Sequence, residues 1–183
     1  TMVLPVAGDQ VTNDIAVALR LPTQTAERVK IDHACAMLEK ADPNHVIEVP
    51  AVGNCPAQSL TQFELAEVVG PRYEELFEII KNNLRQAHLD QAIPAGVVIT
   101  GGAAMISGVT DIAEQVFQVP VRIGAPQNAI GNIEVINNPT FATGVGLLMY
   151  AAKQAKQSEH IQMPHEGIKG VFSKIKHWFQ GNF

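Results

Sequence analysis

The chain has 183 residues, of which 46% are hydrophobic and 17% are charged. This balance is typical of one or two folded units with a sizeable core, and it excludes a disordered or collagen-like chain. No apolar run reaches the roughly 18 residues that cross a bilayer, so the sequence predicts no membrane-spanning helix. The first five residues lack the features of a secretion signal, and the cytoplasm is the expected compartment.

The formal net charge of −5 is unevenly distributed along the chain. Residues 167–183 contain three lysines and no carboxylate side chain, so a charge of −8 falls on residues 1–166. An acidic body is unsuited to binding phosphate backbones, and nucleic acid is therefore not an expected partner. Cys35 and Cys55 have no CxxC or histidine spacing that would indicate a zinc site or a disulfide framework.

Apolar periodicity and turn residues divide the first third of the chain into short elements. An apolar segment at 3–6 followed by Gly8 predicts a strand, a tight turn and a helix. A second helix is expected from about 23 to 38, and residues 47–52 alternate like a strand at a sheet edge.

The next segment predicts the longest amphipathic helix of the body. Thr61 and Glu64 have the spacing of a capping box, which predicts a helix start. Gly70 and Pro71 predict that the helix breaks or restarts there. Beyond them, apolar residues recur at helical spacing at Tyr73, Leu76, Phe77, Ile80, Leu84 and Ala87.

A short buried strand at 97–99 leads into Gly101 and Gly102, and a helix is expected from about 109 to 117. This order predicts an α/β unit. Glycines at the carboxyl end of a buried strand allow a ligand's phosphate or ring to approach the backbone, but they also serve in tight turns. The residues themselves leave both interpretations open.

The last part of the body alternates between strand, loop and helix signals. We expect a strand at 120–123, a turn-rich loop at 125–138 and a small-residue helix packed in the interior at 139–152. Residues 153–166 are polar and aperiodic, which predicts a linker.

Residues 167–183 form an amphipathic pattern in which large apolar groups oppose lysines. One interpretation is a terminal helix docked on its own domain, and the other is a helix that lies on an anionic membrane. The linker before it and its charge, opposite to that of the body, favour the membrane. The residues predicted to contact lipid are Ile168, Val171, Phe172, Lys174, Ile175, Lys176, Trp178 and Phe179.

No side-chain constellation indicates an enzyme that uses its own nucleophile. No serine, cysteine or histidine has a recognisable nucleophile context, and Cys35 is most simply a buried small residue. No catalytic residue and no metal site is therefore predicted.

Several colinear segments resemble the FtsA family, the bacterial actin-like division proteins. They are residues 6–16, 26–30, 65–76, 98–104, 121–124 and 143–148, together with the amphipathic end that holds Trp178 and Phe179. The resemblance implies an actin-like (RNase H-like) ATPase fold of the α/β class. It divides the chain into a first part of subdomain IIA (1–20), an inserted subdomain IIB (21–95), the rest of IIA (96–152), a flexible linker (153–166) and an amphipathic membrane-targeting helix (167–183).

The same resemblance implies the residues that contact ATP. Gly101, Gly102 and Ala103 match the adenosine motif, and Glu27 and Lys30 match the pair that reaches the ribose and adenine from IIB. Gly8 lies in the segment near the phosphates, where Ala7 stands in place of a family glycine.

The resemblance also implies function and partners. Family members bind ATP with Mg²⁺, polymerise, tether the tubulin-like FtsZ to the cytoplasmic face of the inner membrane at the division site, and signal to later division proteins. Arg72 lies on the IIB helix that takes the carboxylates of the FtsZ tail.

The chain starts after the place of the family's D-x-G-x-G-T phosphate loop. We therefore expect a fragment without meaningful ATPase activity and with at most weak affinity for adenosine. The alternative is the C-terminal lobe of another actin-like ATPase, such as a pilus-assembly, chaperone-type or sugar-kinase relative.

Overall fold

The computed structural model describes residues 1–51, 53 and 56–159 of the chain. Over these residues the helices are α1 (Gly8–Ala18), α2 (Thr23–His33), α3 (Gln62–Gln86), α4 (Val109–Phe117), α5 (Ile133–Ile136) and α6 (Ala142–Glu159). The strands are β1 (Val46–Val49), β2 (Gln58–Thr61), β3 (Val97–Ile99) and β4 (Val121–Ile123).

The four strands form two small sheets. β1 and β2 are antiparallel, with Ile47 opposite Leu60, and β1 ends before Pro50, which cannot donate to a ladder. β3 and β4 are parallel, with Val98 opposite Arg122. Because α4 connects β3 to β4, the segment is a β-α-β unit, and the predicted helix at 109–117 is confirmed.

The core lies where α3 packs against α1 on one side and against α4 on the other. Phe77 of α3 and Phe117 of α4 meet edge to face, with ring centroids 5.7 Å apart, a preferred arrangement of aromatic rings. The largest fully buried side chains of this part of the molecule are Val11, Ile15, Cys35, Ile47, Val49, Leu65, Val69 and Val109.

Helix α3 begins as predicted and continues where a break was predicted. Thr61 Oγ1 accepts the backbone N–H of Glu64 at 3.1 Å, and Glu64 Oε2 accepts the N–H of Thr61 at 2.6 Å, so the capping box is confirmed. The break at Gly70 and Pro71 is wrong, since the helix runs through both residues. Both flanks bury apolar side chains in the core, which outweighs the hydrogen bond that proline removes.

Two further predictions near the amino end are wrong. Residues 3–6 form no strand, because among the described residues β3 and β4 pair only with each other. Leu4 and Val6 instead line an apolar cavity beside α3, together with Leu76 and Ile80. The second helix ends at His33 and not near 38, because Ala34 takes an extended conformation and Cys35 bridges to Ser107.

The chain divides into two compact units, of which the first is Thr1–Thr143 and the second begins at Gly144. The predicted loop at 125–138 contains the single turn of α5. Helix α6 extends to Glu159, so the first seven residues of the predicted linker are helical.

The interior packing predicted for residues 139–152 holds for Val145, which is buried, and is wrong for the large side chains that follow it. Leu147 is 65% exposed, Leu148 is 74% exposed and Tyr150 is 63% exposed. The prediction failed because a run of small and apolar residues does not reveal whether a neighbour covers it. Within the described part of the chain, no helix combines the length and the apolar character needed to cross a bilayer.

Candidate functional site

Four residues of α1 and α2 form one polar cluster, defined here as the Lys30 cluster: Gly8, Thr12, Glu27 and Lys30. The Lys30 ammonium donates to Thr12 Oγ1 at 2.8 Å and to the Gly8 carbonyl oxygen at 3.2 Å. It also lies 2.6 Å from Glu27 Oε2. Thr12 Oγ1 in turn donates to the Glu27 carboxylate.

Helical spacing explains why these groups converge. Gly8 and Thr12 are four residues apart on α1, and Glu27 and Lys30 are three apart on α2, so each pair lies on one helix face. The two helices pack against each other and bring the faces together. Lys30 is 6% exposed, and a buried ammonium is tolerated because its donors are satisfied.

The charge on Glu27 is maintained by its neighbours. Partial burial acts to raise the pKa of Glu27, but hydrogen bonds from Lys30 and Thr12 and the charge of Lys30 outweigh it and hold the pKa below its ordinary value. The Lys30 cluster therefore presents an ionised carboxylate and an ammonium side by side.

The glycine turn after β3 lies against this cluster. Gly101 has a φ of 97°, a conformation that favours glycine, and its N–H donates to the Pro139 carbonyl at 3.2 Å. A short 3-10 helix, Gly102–Met105, follows. A Cβ on Gly8 would lie only 3.2 Å from Ala103 Cβ, so the start of α1 and the turn are in close contact.

Tyr73 of α3 makes a hydrogen bond to the glycine turn. Its hydroxyl donates to the Ala103 carbonyl oxygen at 2.8 Å. Burial, with a contribution from the charge of Glu27, raises the pKa of Tyr73 far above its ordinary value, so the phenol remains a donor. The Tyr73 hydroxyl thus joins α3 to the glycine turn, and the turn contacts Gly8 of the Lys30 cluster.

A cavity of about 830 Å³ opens above these residues. Five of the six residues predicted to contact a nucleotide line it: Gly8, Glu27, Lys30, Gly102 and Ala103. The sixth, Gly101, begins the turn beside it. The other lining residues are Asp9, Ile31, Asp32, His33, Ala34, Gln62, Met105, Ile106, Ser107 and Thr140.

Sequence reasoning missed Thr12 and Tyr73. Thr12 is 3% exposed and connects Lys30 with Glu27. The available signal was a hydroxyl between Val11 and Ile15 on the apolar face of the first helix, four residues after Gly8. Tyr73 was assigned to the core, where it is 2% exposed, and nothing in the sequence indicates the bond of its hydroxyl to Ala103.

Arg72, predicted to contact a partner, already pairs with carboxylates of its own chain. Its guanidinium donates to Asp14 Oδ2 at 2.5 Å and to Asp14 Oδ1 at 2.9 Å, and it also pairs with Glu75. The hydrogen bonds to Asp14 raise the pKa of Arg72 against the opposing effect of burial. A carboxylate from a partner would have to share or displace these contacts.

The cavity is suited to binding a small polar ligand. An ammonium, a carboxylate and close backbone approach at the glycines can hold hydroxyl groups and a flat ring. Within residues 1–51, 53 and 56–159, no three histidine, cysteine, aspartate or glutamate side chains are placed to hold a metal ion. The residues predicted to contact lipid, 168–179, lie outside the described part of the chain.

The fold is that of an actin-like ATPase. Two crystal structures of MreB5 of Spiroplasma citri share it, one bound to AMPPNP and one bound to ADP. The first superimposes with a TM-score of 0.64 at 17% identity, covering 86% of this chain and 47% of that chain. The second has a TM-score of 0.61 at 16% identity. The α/β actin-like class predicted from the sequence is confirmed.

The family follows from the sequence comparisons. A model of the cell division protein FtsA matches residues 1–146. FtsA of Pseudomonas aeruginosa is 46% identical over the whole chain, FtsA of Escherichia coli K12 is 38% identical over 98% of it, and FtsA of Bacillus subtilis is 37% identical over 93%. The chain belongs to the FtsA family, which decides against the alternative of another actin-like lobe. It spans 45% of the length of the Pseudomonas relative.

Proposed function

We propose that this chain acts in cell division as part of a membrane adaptor that holds FtsZ polymers to the cytoplasmic face of the inner membrane at the division site. The observation that carries the proposal is FtsA family membership over residues 1–146. The activity extends to self-association as an actin-like polymer and to contacts with later division proteins.

Within that function, the cavity above the Lys30 cluster would take the adenosine end of ATP. Lys30 and Glu27 would bind the ribose and adenine, Gly102 and Ala103 would allow the ring to approach the backbone, and Gly8 would lie towards the phosphates. These groups fit hydroxyls and ring nitrogens by hydrogen bonding. Mg²⁺ would accompany the phosphates, since it is usually held by phosphate oxygens together with one or two carboxylates.

Calorimetry with ATP tests the assignment of the nucleotide site. We expect weak binding, with a dissociation constant on the order of 1 mM, equivalent to about −4 kcal/mol. Lys30→Met should weaken it at least fivefold, whereas Lys153→Met, at an exposed lysine of α6, should leave it unchanged. If the two variants bind ATP with equal affinity, the cavity is not the nucleotide site.

We propose that residues 167–183 attach the chain to lipid. Three lysines near an anionic surface contribute on the order of 3 kcal/mol, and burial of the apolar face adds to this, but ordering the helix costs roughly 1 kcal/mol per residue. A single tail would therefore bind weakly, and a polymer would bind firmly because many tails act together.

Co-sedimentation with liposomes of increasing anionic lipid content tests the tail. Phe172→Glu should abolish sedimentation because it places a charge on the apolar face. Gln180→Glu, on the polar face, changes the net charge equally and should reduce sedimentation only slightly. If both variants sediment like the unaltered chain, the tail is not the membrane anchor.

A further inference from the structure

The side chain of Tyr73 joins the core to the glycine turn. Tyr73 is 2% exposed, and its ring lies beside that of Phe77, with centroids 6.2 Å apart and planes inclined at 37°. Its hydroxyl reaches beyond the core and donates to the Ala103 carbonyl oxygen at 2.8 Å. Phenylalanine would fill the same core volume without needing a partner, so packing alone does not explain the hydroxyl.

The bond from Tyr73 has the best length among three hydrogen bonds that hold the turn. The N–H of Gly101 donates to the Pro139 carbonyl oxygen and the N–H of Ala104 donates to the Gly101 carbonyl oxygen, both at 3.2 Å. These two distances lie at the long end of the range for an N–H donor, whereas 2.8 Å is the usual distance for a hydroxyl donor. The contact with α3 therefore contributes strongly to the position of the turn.

The position of the turn determines the shape of the cavity. Gly102, Ala103 and Met105 belong to one short 3-10 helix and all line the cavity, so a shift of the Ala103 carbonyl moves them together. A ring that binds against backbone tolerates little displacement, because a gap of about 1 Å loses up to roughly half of the dispersion attraction. A turn that is already in place also binds a ligand more tightly, since less ordering is required.

We propose that Tyr73 is a positioning residue of the nucleotide site, whose hydroxyl fixes the glycine turn at the distance where the adenine ring of ATP lies against Gly102 and Ala103. The inference rests on the proposed function, because it takes the cavity as the site of adenosine. It extends that function by assigning part of the affinity for the base to a side chain outside the cavity lining.

Tyr73→Phe tests the hydroxyl, because it removes one oxygen atom and keeps the ring in the core. Calorimetry of the full chain should show adenosine and ATP bound at least threefold more weakly, by the same factor, since the two ligands share the base. Tyr150→Phe is the matched control: it removes the same atom from an exposed ring of α6 and should leave both affinities unchanged. Unchanged affinities in Tyr73→Phe would overturn the proposal.

A packing variant separates positioning from stability. Phe77→Leu removes the aromatic contact with Tyr73 but leaves the hydroxyl in place. It should lower the melting temperature more than Tyr73→Phe does and weaken adenosine binding less. If the loss of affinity instead follows the melting temperature across the two variants, Tyr73 acts only through the core and the proposal is wrong.

Hydrogen exchange, followed by nuclear magnetic resonance without any nucleotide, measures the turn itself. In Tyr73→Phe the N–H of Ala104, which donates to the Gly101 carbonyl oxygen, should exchange at least fivefold faster. Its rate should rise more than that of Ile15, which is buried in α1 and reports on overall stability. An equal rise at both positions, or none at Ala104, would refute the positioning role.

A titration with adenosine distinguishes failure of this inference from failure of the proposed site. Adenosine should shift the amide signals of Gly102 and Ala103 in the unaltered chain. If it shifts neither, the cavity is not the nucleotide site and both proposals fall. If it shifts both and binds Tyr73→Phe equally well, the site stands and the role assigned to Tyr73 is wrong.

Discussion

The Lys30 cluster depends on the hydroxyl group of Thr12. It receives a hydrogen bond from a buried ammonium and donates one to Glu27. Without it, the Lys30 ammonium loses an acceptor in a place that water reaches poorly. Removing one partner of a buried hydrogen bond costs more than the bond itself contributes.

Thr12→Val should therefore destabilise the chain by about 1–3 kcal/mol in urea denaturation. Thr12→Ser keeps the hydroxyl and loses only a methyl group, so it should cost less. Equal losses for valine and serine would show that packing, and not the hydrogen bonds, determines the stability at this position.

Glu27 gives the cluster a pH dependence of known sign. Its pKa in the folded chain lies below the ordinary value of 4.5, so its contribution to stability is complete above that value and declines as the pH falls through the folded pKa. The effect is modest, because the side chain is 41% exposed and solvent screens its charge.

Denaturation between pH 3 and 6 should show this dependence. Glu27→Gln should flatten the acid side of the stability profile, and Glu74→Gln, at an exposed position of α3, should leave the profile parallel to that of the unaltered chain. Matching profiles for the two variants would contradict the assignment to Glu27.

At the level of elements, α3 packs tightly against the segment after α2 at Gly70. A Cβ on this glycine would lie 2.6 Å from the Ala36 carbonyl oxygen. Gly70 predicted a helix break, but the helix is unbroken and the close contact with Ala36 leaves no room for a side chain there.

Gly70→Ala should destabilise the chain by about 1–3 kcal/mol, since overpacking forces the backbone to shift. Gly144→Ala is the matched control in α6, because nothing lies within 4 Å of its Cβ. There, alanine should stabilise by up to about 1 kcal/mol. If the two substitutions shift the melting temperature in the same direction, overpacking at Gly70 is not the cause.

The elements that the sequence predicted well are those determined locally. The capping box at Thr61 and the helix at 109–117 depend on neighbouring residues and were found. The strand expected at 3–6 and the break at Gly70 depend on distant contacts, namely a partner strand and the packing of both helix flanks, which a single sequence does not contain.

The site was predictable to a similar extent. The resemblance indicated six residues, Glu27 and Lys30 among them, of which five line one cavity. Thr12 and Tyr73 could not be assigned, because their bonds join α1 to α2 and α3 to the glycine turn.

At the scale of the whole molecule, Arg72 joins α3 to α1 through Asp14. Loss of FtsZ binding in an Arg72 variant would therefore have two explanations, a lost contact with the partner or a disturbed contact within the chain. The two explanations can be separated by a substitution of Asp14, which removes the contact within the chain and leaves Arg72 in place.

If Arg72 contacts the FtsZ tail, as the family resemblance implies, binding of a tail peptide, measured by fluorescence anisotropy, should fall at least fivefold in Arg72→Ala. In Asp14→Asn it should be unchanged or stronger, since the guanidinium loses a competing carboxylate. Equal losses in both variants would indicate that Arg72 supports the fold and does not contact the partner.

The buried phenol beneath the glycine turn has a spectroscopic consequence. The Tyr73 hydroxyl donates to the carbonyl oxygen of Ala103, which lines the cavity, whereas Trp178 belongs to the predicted lipid-binding end. A fluorine label on the Tyr73 ring, read by nuclear magnetic resonance, should respond to a nucleotide without interference from the absorbance of adenine. Vesicles should instead change the emission of Trp178, the one tryptophan of the chain, so the two binding events can be followed separately.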